Sequence, residues 1–275
     1  MKYSIKDMKN KLDSNSFNFK KKFGQNFLND ENILNKIVKE SEIPEDTLVI
    51  EIGPGAGALT NKLKDVAKNV LAYEIDLDLQ NILIDKFKEN KNVTFIWEDF
   101  LNRNIKEDIK DYNNKHIFVV ANIPYYITTP IVEKIINSGV DVEKVVIMVQ
   151  KEVGDRFSAK PGNKEYGSIS VFLNYYYDIK ELFIVSKNCF IPRPNVDSVI
   201  LSLEKRKDKP NVKDENLLFR LIKDSFRFKR KNLRNNLKEY DLLKIEEILK
   251  KYNKDLTSRA ETLDLEVFID IANNI

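Results

Sequence analysis

Short apolar runs separated by longer amphipathic stretches dominate the first half of the chain. Runs at 47–52, 69–74, 93–97, 116–121 and 144–149 are rich in Val, Ile, Leu and aromatic residues, the composition of strands buried in a parallel sheet. Between them, 57–66, 77–90 and 129–137 place apolar residues at helical spacing. Asp76 and Thr128 or Thr129 stand where two of these helices need caps. Strands alternating with helices predict parallel pairing through helical crossovers, hence an α/β sheet.

Beyond Gln150 the pattern changes. An apolar and aromatic run at 169–179 and a further run at 196–203, the latter preceded by the proline-rich Phe190 to Pro194, predict an antiparallel pair that completes the sheet. Residues 205–213 are charged and contain one proline, and 217–274 reads as several helices without strand alternation. A chain of 275 residues exceeds the usual single-domain size. The expected organisation is therefore a basic extension at 1–22, an α/β domain at 23–206 and a smaller helical domain at 207–275.

Composition sets limits on this picture. With 42% hydrophobic and 32% charged residues the chain is globular, and no apolar run approaches the length of a membrane span. The first residues, MKYSIKDMKNKLDS, lack an apolar core followed by small residues, and a single cysteine excludes a disulfide framework. A soluble cytoplasmic protein is expected, with no membrane partner and a monomer by default. Net charge is only +3, but it is unevenly spread. Residues 1–22 carry seven lysines against Asp7 and Asp13, and 220–234 carry seven basic residues against Asp224. Each zone fits either a nucleic-acid footprint or a solvated helix face. In the second, Phe226 and Phe228 interleave Arg227, Lys229, Arg230, Lys231 and Arg234, which favours RNA phosphate contacts.

Candidate chemistry begins at Val49-Ile-Glu-Ile-Gly-Pro-Gly-Ala-Gly-Ala-Leu-Thr60, where three alternating glycines, among them Gly53 and Gly55, mark a strand turning into a helix. A backbone without side chains permits close approach to a ligand, although a plain tight turn has the same signature. Glu74, 21 residues after Gly53 at the end of the next strand, stands where a carboxylate meets ribose hydroxyls. The glycines do not follow the dinucleotide spacing, and no P-loop lysine follows them. A nucleoside ligand without phosphates is favoured, and S-adenosylmethionine fits, with its ribose diol, adenine and amino-acid tail. Asp99, ending the third strand candidate, is either an acceptor for the adenine amino group or a helix cap.

Asn122-Ile-Pro-Tyr125 ends the fourth strand candidate at the sheet edge where ligands bind. An adenine amino group is a poor nucleophile because its lone pair is delocalised into the ring. The Asn122 amide and the Ile123 carbonyl, held before the rigid Pro124, supply acceptors for its two hydrogens, and Tyr125 supplies a stacking surface. No strong base is needed when the methyl donor is a sulfonium, because alignment supplies most of the acceleration. A strand-ending turn is the plain alternative for this motif.

From about Lys21 to the C-terminus these residues resemble the KsgA family of ribosomal RNA adenine dimethyltransferases. Phe23-Gly-Gln-Asn-Phe-Leu28 is similar to that family's N-terminal cofactor motif, 51–60 to its glycine loop and Asn122 to Tyr125 to its acceptor motif. Phe190-Ile-Pro-Arg-Pro-Asn-Val-Asp-Ser198 resembles its second aromatic segment, while Lys229 to Arg234 and Arg259-Ala-Glu-Thr-Leu263 resemble its C-terminal helical domain. The resemblance implies a Rossmann-like class I methyltransferase sheet at 23–206 and a helical RNA-binding domain at 207–275. It also implies cofactor contacts from Asn26, Leu28, Gly53, Gly55, Glu74, Asp99 and Asn122, and a target base held between Tyr125 and Phe190. The implied reaction is N6,N6-dimethylation of two neighbouring adenosines near the 3′ end of small-subunit rRNA. Small-subunit rRNA and the small ribosomal subunit precursor are the implied partners.

The remaining chemistry-bearing residues read as structural. His116 has no Cys or His partner for a metal, and no metal is expected; Cys189 reads as a packed small residue, and Tyr175 to Tyr177 as strand packing. Two rivals are an enzyme of the macrolide-resistance type, acting on large-subunit rRNA, and a ribosome-assembly factor with secondary catalysis. The Pro192 to Ser198 and Arg259 to Leu263 segments speak against the first, and the intact Asn122 to Tyr125 motif against the second.

Overall fold

A computed structural model of the protein describes residues 26–123 and 127–275. They fall into two compact units, one drawn from Met1–Lys151 and Lys180–Glu204 and the other from Glu152–Ile179 and Lys205–Ile275. The single boundary expected at 206 therefore misses a crossing: residues 152–179 join the C-terminal helices, because Ala159, Tyr166, Val171 and Tyr175 share one apolar core with them. The expected extension at 1–22 lies outside the described residues.

The first unit holds strands β1 (Phe27–Leu28), β2 (Thr47–Ile52), β3 (Asn69–Tyr73), β4 (Val93–Ile96), β5 (His116–Asn122) and β6 (Lys144–Gln150). Three more follow as β7 (Tyr177–Val185), β8 (Phe190–Ile191) and β9 (Ser198–Lys205), with the start of β7 and the last residue of β9 falling in the second unit. Seven of these form a sheet in the order β4-β3-β2-β5-β6-β9-β7. Pairing is parallel from β4 to β6, and β9 then runs antiparallel to β6 with Val146 opposite Ser202. This is the expected Rossmann-like α/β sheet. Every residue of β2 is buried, as a strand covered on both faces requires. The five expected parallel strands lie within a few residues of the observed ones.

Among the described residues, helices of the first unit are α1 (Glu31–Ser41), α2 (Thr60–Leu63), α3 (Gln80–Phe87), α4 (Ile105–Asp108) and α5 (Thr128–Asn137). The predicted helix at 57–66 shrinks to α2, because Gly55 and Gly57 hold positive φ angles that an α-helix excludes. Asp76 caps as expected, but at a 3₁₀ turn ahead of α3, with its carboxylate accepting from the Asp78 amide. Neither Thr128 nor Thr129 is a cap: Ile127 occupies that position without a side-chain bond, and Thr128 already lies inside α5. Sequence reading passed over α1, whose Asp30 carboxylate accepts from Asn32 N (2.9 Å) and Ile33 N (3.1 Å). Its signal was present in an Asp cap followed by Leu34 and Ile37 on one face.

Most of α6 (Lys151–Ser158) lies in the second unit, together with α7 (Ser168–Tyr176), α8 (Glu215–Ser225), α9 (Leu233–Asn236), α10 (Leu242–Lys251) and α11 (Leu265–Asn274). The run at 169–179 expected as a strand is thus helix α7 up to Tyr176, and β7 begins only at Tyr177. Continuous apolar runs do not distinguish the two by period. Here Val171 and Tyr175, one turn apart, enter a core with Leu218, Leu221, Ile245 and Phe268, and that burial selects the helix. Tyr175 and Tyr176 donate their hydroxyls to the two oxygens of Glu215, each at 3.1 Å. No helix among the described residues is long and apolar enough to cross a membrane.

Candidate active site

Parallel pairing brings the carboxyl ends of β2, β3, β4 and β5 to one edge of the sheet. A cavity of about 210 Å³ lies there, and Asn26, Leu28, Gly53, Gly55, Glu74, Asp99 and Asn122 all line it. The seven residues expected to contact a cofactor, scattered from 26 to 122, are thus brought together by the fold.

The glycine loop is fixed from several directions. Gly53 N donates to Tyr73 O at 2.9 Å, tying the loop to β3. Gly55 N donates to Glu74 Oε2 at 3.0 Å, and the other carboxylate oxygen accepts from Asp76 N at 2.8 Å. From α3, the Lys86 ammonium donates to the carbonyls of Ala56 (2.9 Å) and Gly57 (2.8 Å). Gly55 has φ +56, and a Cβ there would sit 2.7 Å from the Phe27 ring; at Gly57, φ +70, it would sit 2.7 Å from Phe87. Glycine is thus required at both positions by protein packing as well as by backbone conformation.

Four lining residues are carboxylic acids, Glu51, Glu74, Glu98 and Asp99, and no described lining residue is Lys, Arg or His. Burial pushes Glu74 up to about 7, against the opposing amide bonds from Asp76 and Gly55. Burial likewise pushes Glu51 up to about 8, and its Oε2 has no hydrogen-bond partner among the described residues. Such a wall accepts hydrogen bonds and offers phosphate no cation, so its acceptors fit a diol, an exocyclic amine and an ammonium group. Asp99 Oδ1 accepts from Leu101 N at 2.9 Å, which makes it the cap of a 3₁₀ turn while it lines the cavity. The Arg103 guanidinium reaches Asp108 and, at 2.9 Å, Glu98, while Tyr73 donates its hydroxyl to Asp108 at 3.1 Å. This chain of bonds ties the ends of β3 and β4 together. Sequence reasoning missed Glu51, Lys86 and Arg103, since nothing local marks a carboxylate as buried or a cation as a strut.

Asn122, the last residue of β5, donates through Nδ2 to Asn26 O at 3.3 Å. That bond fixes the amide orientation and leaves Oδ1 as its acceptor. Pro124 and Tyr125 lie outside the described residues. Phe190 does not join the cavity wall: it pairs with Leu28 in the short β1–β8 sheet and is buried with Leu34, Met148 and Ile200. His116 Nδ1 lies 2.9 Å from Glu143 Oε1. Cys189 is half-buried near Asp30, and that burial raises its thiol pKa.

In the second unit, Arg227, Lys229, Arg230, Lys231 and Arg234 are all exposed. The two aromatics between these charges differ. Phe226 turns inward, its ring 6.0 Å from that of Tyr166 and 6.1 Å from that of Phe268, whereas Phe228 is 55% exposed. Only Phe228 interleaves the charges at the surface, because Phe226 ends α8 on its apolar face.

The model of the ribosomal RNA adenine dimethylase family matches residues 16–275. A protein of Streptococcus pneumoniae (strain P1031) named ribosomal RNA small subunit methyltransferase A is 46% identical over 272 residues, covering 95% of this chain and 93% of the relative. Among solved structures, a dimethyladenosine transferase from Plasmodium falciparum aligns with TM-score 0.75 at 24% identity, over 89% of this chain and 95% of that one. The 23S rRNA methyltransferase ErmE aligns with TM-score 0.72 at 24% identity, over 90% and 98%. Both likenesses establish the fold. With a family match across nearly the whole length and close relatives at this identity, the chain belongs to the ribosomal RNA adenine dimethylase family.

Proposed function

We propose that this protein uses S-adenosylmethionine to dimethylate N6 of two adjacent adenosines near the 3′ end of small-subunit rRNA, as part of cytoplasmic small-subunit maturation. Family membership and the 46% identity to proteins named for the small subunit support the substrate. The observation that carries the reaction is the convergence at one cavity of an acceptor-rich wall and Asn122.

Bound S-adenosylmethionine supplies a methyl group already activated by its sulfonium. Glu74 and Asp99 hold ribose hydroxyls and the adenine amino group, and the absence of lining cations among the described residues disfavours phosphorylated competitors. Asn122, oriented by Asn26, offers Oδ1 to one N6 hydrogen, and the Ile123 carbonyl is the second acceptor. Together they favour a pyramidal nitrogen whose lone pair is free of the ring, and alignment supplies the remaining acceleration. Tyr125 stacks on the base. Phe190, paired with Leu28 and buried, packs against residues of that wall, and its contact with the base requires the ring to become accessible.

The test is transfer from labelled S-adenosylmethionine to undermethylated small subunits and, in parallel, to large subunits, read by nucleoside mass spectrometry. N6,N6-dimethyladenosine confined to small subunits is expected. Label in large subunits would overturn the substrate in favour of the resistance-type reaction. Asn122→Ala should lower transfer by about a hundredfold or more with subunit affinity unchanged, and equal methylation by this variant would remove Asn122 from the mechanism.

A further inference from the structure

We infer that Phe228 is a stacking platform for one unpaired base of the RNA substrate, a contact distinct from the base held at the active site. The inference rests on the proposed RNA substrate and adds a chemical class of contact to it. Scattered exposed apolar side chains are ordinary on protein surfaces and need no explanation. What sets Phe228 apart is how its backbone is held. Asn236, with only 9% of its surface exposed, accepts from Phe228 N through Oδ1 at 3.3 Å and donates through Nδ2 to Phe228 O (3.4 Å) and Ser225 O (2.7 Å). Phe228 O also accepts from Lys231 N at 2.8 Å. The short helix α9 that carries Asn236 is itself pinned, with Leu233 N donating to Ser258 O and Arg234 N to Leu256 O. A buried amide thus holds both backbone groups of one exposed aromatic residue while bonding the end of α8 through Ser225 O, so ordering that backbone costs little on binding.

The surroundings name the partner. Arg227 lies with its guanidinium 5.5 Å from the Phe228 ring centroid, and Lys229, Arg230, Lys231 and Arg234 flank the same turn. Lys229 donates to Lys164 O at 2.7 Å, which tethers the turn to the segment ahead of α7. A solvent-facing aromatic ring on a fixed backbone among cations matches a single-stranded nucleic-acid site: cations meet phosphates and the ring meets a base face. Stacking of this kind is indifferent to base identity, and it predicts a preference for unpaired over duplex RNA.

The experiment compares wild type, Phe228→Ala, Phe228→Leu and Phe228→Trp for binding to a mixed-sequence single-stranded RNA and to an RNA duplex across a salt series. Because the ring is exposed, thermal unfolding should hardly change. Phe228→Ala should bind the single strand about tenfold more weakly with an unchanged slope against salt, since no phosphate contact is lost. Phe228→Trp should retain affinity, with its indole emission quenched on binding, while Phe228→Leu should behave like Ala. Equal single-strand affinity for wild type and Phe228→Ala, or full rescue by Leu, would overturn the inference. Methylation of small subunits by wild type is scored separately: its absence alongside a clear Phe228 effect would overturn the proposed substrate and leave the stacking site in place.

Discussion

Glu74 carries two tasks in opposition. Its oxygens anchor the amides of Gly55 and Asp76, yet it is buried enough to titrate near neutrality. In the proposed cofactor role Glu74 accepts from two ribose hydroxyls most strongly when ionised, so affinity for the demethylated cofactor product should rise between about pH 6 and about pH 8 and fall off below. Calorimetric titration checks this, and Glu74→Gln should bind more weakly with a flattened profile. Stability of the unliganded protein runs the other way. Glu51 and Glu74 are both raised above their unfolded value of 4.5, so the stability they contribute is complete below that value and is lost as pH rises through about 7 and about 8. Ligand-induced stabilisation should be larger at about pH 8 than at about pH 6 in thermal unfolding, and the reverse order would show that Glu74 does not titrate as described.

Among the elements, the glycine loop joins conformation to packing. Gly55→Ala forces a side chain into a left-handed backbone at a cost of about 1–2 kcal/mol, and its Cβ meets Phe27 on β1. Melting temperature should fall modestly while cofactor affinity falls much further, because the displaced β1 belongs to the cavity wall; an unchanged affinity would show that β1 shifts without consequence. Element legibility varied for physical reasons. The parallel strands were readable because burial on both faces demands long β-branched runs. Helix α7 was not, since its aromatic run has no period of its own and takes its conformation from partners that follow Glu215. The cavity was legible as scattered motifs, while its acidic wall and the roles of Glu51 and Arg103 emerged only once strands β2, β3 and β4 were adjacent. Phe226 and Phe228 look alike in sequence, and only the direction of the chain at the end of α8 separates core from surface.

At the scale of the molecule, a net charge of +3 conceals a local excess of exposed cations between Arg227 and Arg234. Replacing Arg230 and Arg234 together by Ala should weaken RNA binding and reduce the slope of log affinity against log salt by about two, as read by binding titrations across ionic strength. An unchanged slope would remove both from the footprint. The two compact units also share the chain unevenly, with 152–179 supplied to the helical unit from the middle of the sequence, so no single cut separates them cleanly.

The pairing of β1 with β8 has a meaning in time. A nascent chain emerges from its N-terminus, and every motif from Asn26 to Asn122 is made before Phe190–Ile191. Asn26 and Leu28 flank or belong to a two-stranded sheet whose second strand is Phe190–Ile191, so that wall stays unfinished while translation continues beyond the last parallel strand. A truncated product that ended after β6 would carry every residue expected to contact the cofactor and still lack the strand that pairs with β1, which makes the completed polypeptide, not its cofactor motifs, the unit that acquires activity.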